Sequence, residues 1–257
     1  MLNSRLLPSA DDTEHFVVLL HAFPVHSAMW DTMAVELEMI RDDTTVLLID
    51  FPGFGDSPIQ ENWTMKSVAK EIRDAIIHHT PDRVVLGGLS MGGYAALAFF
   101  REYPTMLRGL ILSNTRAEAD TDEAKAYRAE LAKDALARGA DAAIERLYSK
   151  FVTEDTDPEI AIDIRSWMSE ANPKAIAAAL GAMSSREDST DLLRLISIPT
   201  LVISGSEDES IPASVVRQMA QQLQGATYVE FEGAAHLTAA ERPLEWAEAL
   251  ASFLDRA

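Results

Sequence analysis

The sequence contains no cysteine. Disulfides, thiolate nucleophiles and cysteine-ligated zinc are thereby excluded together. Basic residues are scarce, with 22 Lys and Arg against 41 Asp and Glu, for a formal net charge of −19. A field of that sign repels polyanions, so neither nucleic acid nor an anionic membrane surface is expected as a partner. Small anionic substrates stay open wherever an arginine supplies local charge. No apolar run is long enough for a membrane-spanning helix, and no internal repeat or low-complexity tract is visible. The opening stretch MLNSRLLPSADDTEH carries one arginine and no long apolar segment. A secretory leader is therefore not expected, and a cytoplasmic location is.

What is present is ordinary globular composition, 47% hydrophobic and 25% charged over 257 residues, enough for one large core. Short continuous apolar runs at 16–20, 45–50, 83–87, 109–113, 200–204 and 227–231 read as strands of a parallel sheet buried on both faces. Helical patterns lie between them, at 30–41, 64–77, 91–102, 213–223 and 243–254. In the second of these, Met65, Val68, Ala69, Ile72, Ala75 and Ile76 share one face. Alternating strand and helix predicts an α/β fold with helices on both sides of the sheet. From 117 to 186 the alternation stops, and Ala, Glu, Lys and Leu dominate without a convincing strand. The expected organisation is a core built from 1–116 and 187–257, interrupted by a helical cap at 117–186. In such folds ligands sit at the carboxyl ends of the strands, where an insertion becomes a lid.

Within RVVLGGLSMGGYAAL, Ser90 stands between two pairs of glycines where a strand must turn into a helix. Gly88 and Gly92, two positions either side, allow that turn to close. Ser90 would then sit at a helix N-terminus, where free N–H groups favour developing negative charge. The pattern Gly-x-Ser-x-Gly is the nucleophile elbow, although chance alone produces it in roughly one chain in ten of this length. Its weight depends on partners elsewhere in the chain.

A serine nucleophile needs a base, an orienting acid and an oxyanion hole. Of the six histidines, His236 follows the last expected strand, on a loop opening at the same edge as Ser90. The acid belongs on the loop after 200–204, which reads GSEDESIP. Glu207, Asp208 and Glu209 all stand there, and their position between Gly205 and Pro212 selects Asp208. Met91, directly after the serine, and Phe23, on the loop after the first strand, are the expected oxyanion donors. His21 reads as a structural hydrogen-bonding residue of that loop. No metal-ligand spacing accompanies His21 and His26, so no metal is expected.

The segments LLHAFPVHSAMWD, LLIDFPGFGDSP, GGLSMGGYAAL, LVISGSEDESIP and EGAAHL resemble five successive motifs of the α/β-hydrolase superfamily, in family order. The closest likeness is to small microbial esterases and lactonases, including the 3-oxoadipate enol-lactonases. The resemblance implies a Ser90–Asp208–His236 triad with Phe23 and Met91 as oxyanion donors, acting on a small-molecule ester or lactone without a cofactor. It also implies that Asp50 to Ser57 form a structural turn with no catalytic part. The chain has His-Ala at 21–22 where many members have His-Gly. Trp167 and Met168 of the insertion, with Trp30 and Phe23, are candidates for an acyl pocket, and Arg116 is a candidate contact for a substrate carboxylate. The same triad would serve C–C bond hydrolysis or perhydrolysis, and the scaffold can also carry a non-catalytic ligand receptor.

Overall fold

A computed structural model describes residues 1–9, 13–79 and 81–257. Seven strands form one sheet: β1 (Ser4–Leu7), β2 (His15–Leu20), β3 (Thr44–Ile49), β4 (Val84–Leu89), β5 (Leu107–Ser113), β6 (Thr200–Gly205) and β7 (Thr227–Phe231). Their order is β1-β3-β2-β4-β5-β6-β7, with β1 antiparallel to β3 and every other pair parallel. This is the α/β-hydrolase architecture, and six of the strands fall on the apolar runs read from the sequence. The strand β1 does not. It is four residues long, contains Arg5 and is mostly exposed, so its ladder depends on β3 alone and not on any local apolar signal.

The apolar runs are buried on both faces because each alternate side chain feeds a different half of the core. Val18 and Leu20 of β2, with Leu47 and Ile49 of β3, pack beneath the helices α2 (Met65–His78) and α3 (Met91–Glu102). Val17, Leu19, Val46 and Leu48 point the other way, toward α1 (Asp31–Ile40) and α10 (Pro243–Leu254). The start of α2 is fixed by a capping box, in which Thr64 and Ser67 each accept from the other's backbone N–H. The shorter helices α8 (Ala213–Gln222) and α9 (Thr238–Glu241) complete the core.

Between β5 and β6 the described residues hold four α-helices, one short 3-10 turn (Tyr148–Lys150) and no strand: α4 (Asp122–Arg138), α5 (Asp141–Leu147), α6 (Pro158–Glu170) and α7 (Pro173–Ser184). Their limits follow local chemistry. Thr121, Asp157 and Asn172 cap the N-termini of α4, α6 and α7 through their side chains, and proline opens the latter two. Gly139, at φ 79°, ends α4 in a conformation that other residues resist. The α4 and α7 helices pack against each other. Among the described residues no helix is long and apolar enough to cross a membrane.

Candidate active site

The site begins at the turn from β4 into α3. Ser90 lies at φ 55° and ψ −110°, a strained position for a residue with a side chain. Several contacts hold it there. The Ser90 N–H donates to the Ser113 carbonyl at 2.9 Å, and the Thr115 hydroxyl donates to the Ser90 carbonyl at 2.9 Å. A side chain on Gly88 would collide with the backbone of Gly92, and one on Gly92 with the Leu20 carbonyl. Both positions must therefore be glycine for helix and strand to approach this closely. Met91 is the first residue of α3, so its N–H has no acceptor within the helix.

Two loops from the carboxyl edge of the sheet bring the partners. Asp208 follows β6 and His236 follows β7, and His236 Nδ1 lies 2.7 Å from Asp208 Oδ2. Asp208 is buried, whereas its neighbours Glu207 and Glu209 are exposed. Its carboxylate receives four donors: His236 Nδ1 and Asn114 Nδ2 (2.9 Å) at Oδ2, and the N–H groups of Ser210 (2.8 Å) and Ile211 (2.9 Å) at Oδ1. Burial alone would push the Asp208 pKa up. Its electrostatic interaction with His236 and these hydrogen bonds outweigh it and hold the carboxyl below its ordinary range. An ionised Asp208 keeps the imidazole proton on Nδ1, which leaves Nε2 able to accept another.

Asn114 has no sequence signal beyond its place at the end of β5. It sits at φ 47°, receives hydrogen bonds from Thr238 (2.7 Å) and Ser113 (2.9 Å) at Oδ1, and presents Nδ2 to Asp208. Phe151, from the helical segment, stacks on the His236 ring with centroids 5.1 Å apart and an interplanar angle of 24°. It too carries no readable motif. On the other side of the elbow, His21 is fully buried and donates from Nδ1 to the Ala22 carbonyl at 2.8 Å. Its Nε2 accepts the Phe51 N–H at 2.9 Å. Burial depresses its pKa to about 4, with Asp50 offsetting only part of the effect, so the ring stays neutral. Asp50 in turn accepts from the Ser27 N–H at 2.9 Å and the Asn3 side chain at 3.1 Å. These two loops thus brace each other, consistent with a structural part for His21 and the Asp50 turn.

Ser90, His236 and Phe23 line one cavity of about 200 Å³. Tyr94 and Arg116 contribute from the core side. Tyr127, Arg128, Leu131, Leu147, Phe151 and Leu180 contribute from the helical segment. Trp167 and Met168, expected as acyl-pocket residues, are not among the lining. Trp167 packs edge-on against His26, at a separate surface hollow where His26 also meets Glu170 at 3.1 Å. Met168 is fully buried in the apolar core with Ile144 and Ile164. The reason is geometric: α6 leans on the loop after β2, and α4 and α7 supply the wall over Ser90. Trp30 is likewise core, packed against Trp246 with centroids 5.1 Å apart. Arg116 does line the cavity, and it pairs with Asp120 at 2.9 Å.

Comparison with known proteins gives a consistent picture. The family described as the alpha/beta hydrolase fold matches residues 16–243. A thermophilic esterase from Thermogutta terrifontis superposes with a TM-score of 0.92 at 34% identity, covering 99% of this chain and 93% of that one. A pyrrolizixenacetamide deacetylase from Xenorhabdus hominickii is 28% identical over 84% of this chain and 82% of its own length. A 3-oxoadipate enol-lactonase from Acinetobacter baylyi is 23% identical over 93% of this chain and 88% of its own.

Proposed function

Because the chain belongs to the alpha/beta hydrolase family, and is a hydrolase of that fold, we propose that it cleaves a small carboxylic ester or lactone by acyl transfer through Ser90. The observation that carries this reading is the 2.7 Å contact between a buried Asp208 and His236, which lines the same cavity as a strained serine. The esterase at 34% identity and the enol-lactonase relative support an ester or lactone carbonyl as the electrophile.

In the proposed reaction His236 takes the Ser90 proton as the hydroxyl oxygen attacks the carbonyl carbon. Asp208 holds the imidazole and stabilises its positive form. The N–H groups of Met91 and Phe23 receive the oxyanion, each such donor contributing about 3 kcal/mol to the barrier reduction. His236 then returns the proton to the leaving alcohol, which departs and leaves Ser90 acylated. Water, deprotonated by His236, attacks the acyl-enzyme, and the acid is released as the bond to Ser90 Oγ breaks and His236 returns that proton to Oγ. Every step uses side chains and backbone of this chain.

Segment 117–186 is proposed as the cap that selects the substrate, over a core formed by 1–116 and 187–257. A small-molecule substrate fits the size of the cavity, which falls short of the volumes typical for drug-sized ligands. Steady-state hydrolysis of 4-nitrophenyl acetate tests the reading. Wild-type turnover is expected, with a loss of at least three orders of magnitude in Ser90→Ala. Turnover that survives in Ser90→Ala, with the variant folded, would remove Ser90 from the mechanism.

A further inference from the structure

The walls of the Ser90 cavity carry charge of one sign only. Among the described residues Arg116, Arg128 and Lys150 line it, and no Asp or Glu does. In a chain with 41 acidic residues against 22 basic ones, that is the reverse of the overall balance. The cations are held in place from behind. Asp120, whose side chain is fully buried, receives Arg116 at 2.9 Å, Arg128 at 2.5 Å and Arg186 at 2.7 Å. Among the described residues Asp120 is the sole acidic partner of all three arginines. Three guanidinium groups share one carboxylate as their ion-pair partner, and Asp188 adds only a longer-range attraction to Arg186, so Arg116 and Arg128 are not matched charge for charge. Lys150, with no ion pair among the described residues, adds a third cation to the cavity.

Such an excess is costly for a purely structural tie. With Arg186 buried and Arg116 and Arg128 half-buried, crowding three cations on one carboxylate sacrifices hydration and adds mutual repulsion, although one arginine would already satisfy Asp120. The arginines also retain unused capacity. The Nε groups of Arg116 and Arg186 are buried without a hydrogen-bond partner among the described residues, and there Arg128 Nη1 meets only the thioether of Met183 at 3.4 Å. Arg186 itself is all but inaccessible: it stacks over the Tyr94 ring at 4.1 Å and donates to the Met183 and Glu118 carbonyls. It fixes Asp120 and Tyr94, and so leaves Arg116 and Arg128 as the cations open to a ligand. Both lie on the cavity that holds Ser90.

Building on the hydrolase reading, we infer that Arg116, Arg128 and Lys150 form an anion subsite, and that the substrate is a compact ester or lactone bearing a carboxylate apart from the scissile carbonyl. Planar guanidinium groups match a carboxylate through paired hydrogen bonds, and a cavity wall partly screened from water strengthens the attraction. The chain's overall negative field repels such a substrate elsewhere, so the subsite is where it is retained.

The test compares matched neutral and anionic esters. On the acyl side, 4-nitrophenyl hydrogen glutarate is set against 4-nitrophenyl pentanoate. On the leaving-group side, 3-carboxy-4-nitrophenyl acetate is set against 4-nitrophenyl acetate. Rates in Ser90→Ala are subtracted as background. In at least one pair the wild type should favour the anionic ester by tenfold or more in kcat/KM. That ratio should fall by tenfold or more in both Arg116→Gln and Arg128→Gln, and by severalfold in Lys150→Gln. It should also shrink as ionic strength rises. Arg217→Gln, a surface charge removal on α8, should leave the ratio unchanged. Because each ratio is taken within one protein, partial unfolding of a variant cancels. A wild-type ratio below tenfold in both pairs overturns the subsite, and so does a ratio that Arg116→Gln and Arg128→Gln leave intact. If the arginines served only the oxyanion, both esters of a pair would lose rate equally, which also overturns it. Absence of turnover with all four esters would instead count against the hydrolase reading itself.

Discussion

Asp208 is the residue whose surroundings speak most directly about its task. Four donors converge on a carboxylate that burial would otherwise protonate, and one of them is the His236 ring. Asp208→Asn should leave the fold intact and slow the turnover of nitrophenyl acetate by about four orders of magnitude, because an amide no longer enforces the productive tautomer. Glu207→Gln and Glu209→Gln, at exposed positions, should stay within about twofold of wild type. Asn114→Gly, which keeps the positive φ accessible while removing one donor to Asp208, should cost about tenfold. A crippling effect of either glutamate change would place the orienting acid elsewhere on this loop. Among these residues Ser90, Asp208 and His236 are legible in the sequence because each lies at a fixed offset from a strand end. Asn114 and Arg128 are not, since their roles depend on neighbours 94 and 8 positions away that no local pattern connects.

At the scale of elements, the wall over Ser90 comes from α4, the end of α5 and α7, with α6 turned to the loop after β2. The helical character of the segment is legible in its composition. Which helix faces the serine is not, because α4 is polar nearly all round and its periodicity points nowhere clearly. Trp167 and Met168 therefore stand out in the sequence by their chemistry alone. Tyr127 and Leu147, neither of them fully buried, border the cavity and can be shortened without emptying the core. Tyr127→Ala and Leu147→Ala should raise the preference for the hexanoate over the acetate ester of nitrophenol by about tenfold, the scale of one added methylene in an apolar pocket. The readout is the ratio of the two kcat/KM values within each protein. Trp167→Ala should leave that ratio unchanged, since its side chain sits at the separate hollow beside His26. A shift with Trp167→Ala and none with Tyr127→Ala would mean that α6, not α4, faces the substrate. Among the sheet strands the same contrast holds. Six are self-declared apolar runs, whereas β1 exists only through its antiparallel ladder to β3.

Across the whole molecule, a parallel sheet brings three loops distant in sequence to one edge, and the chain order Ser90, Asp208, His236 follows from that topology. The same edge gathers the cations of a strongly acidic protein around a cavity of about 200 Å³. Neither the overall charge nor the composition foretells this, because the arginines are spread from 116 to 186 and meet only at Asp120. The central claim is that one serine on that edge is the nucleophile. Intact-mass analysis after treatment with a fluorophosphonate, followed by peptide mapping, tests it most directly. Wild type should gain a single adduct, on the peptide that contains Ser90, and Ser90→Ala should gain none. An adduct on another residue, or a folded wild-type protein that stays unlabelled while hydrolysing 4-nitrophenyl acetate, would contradict it.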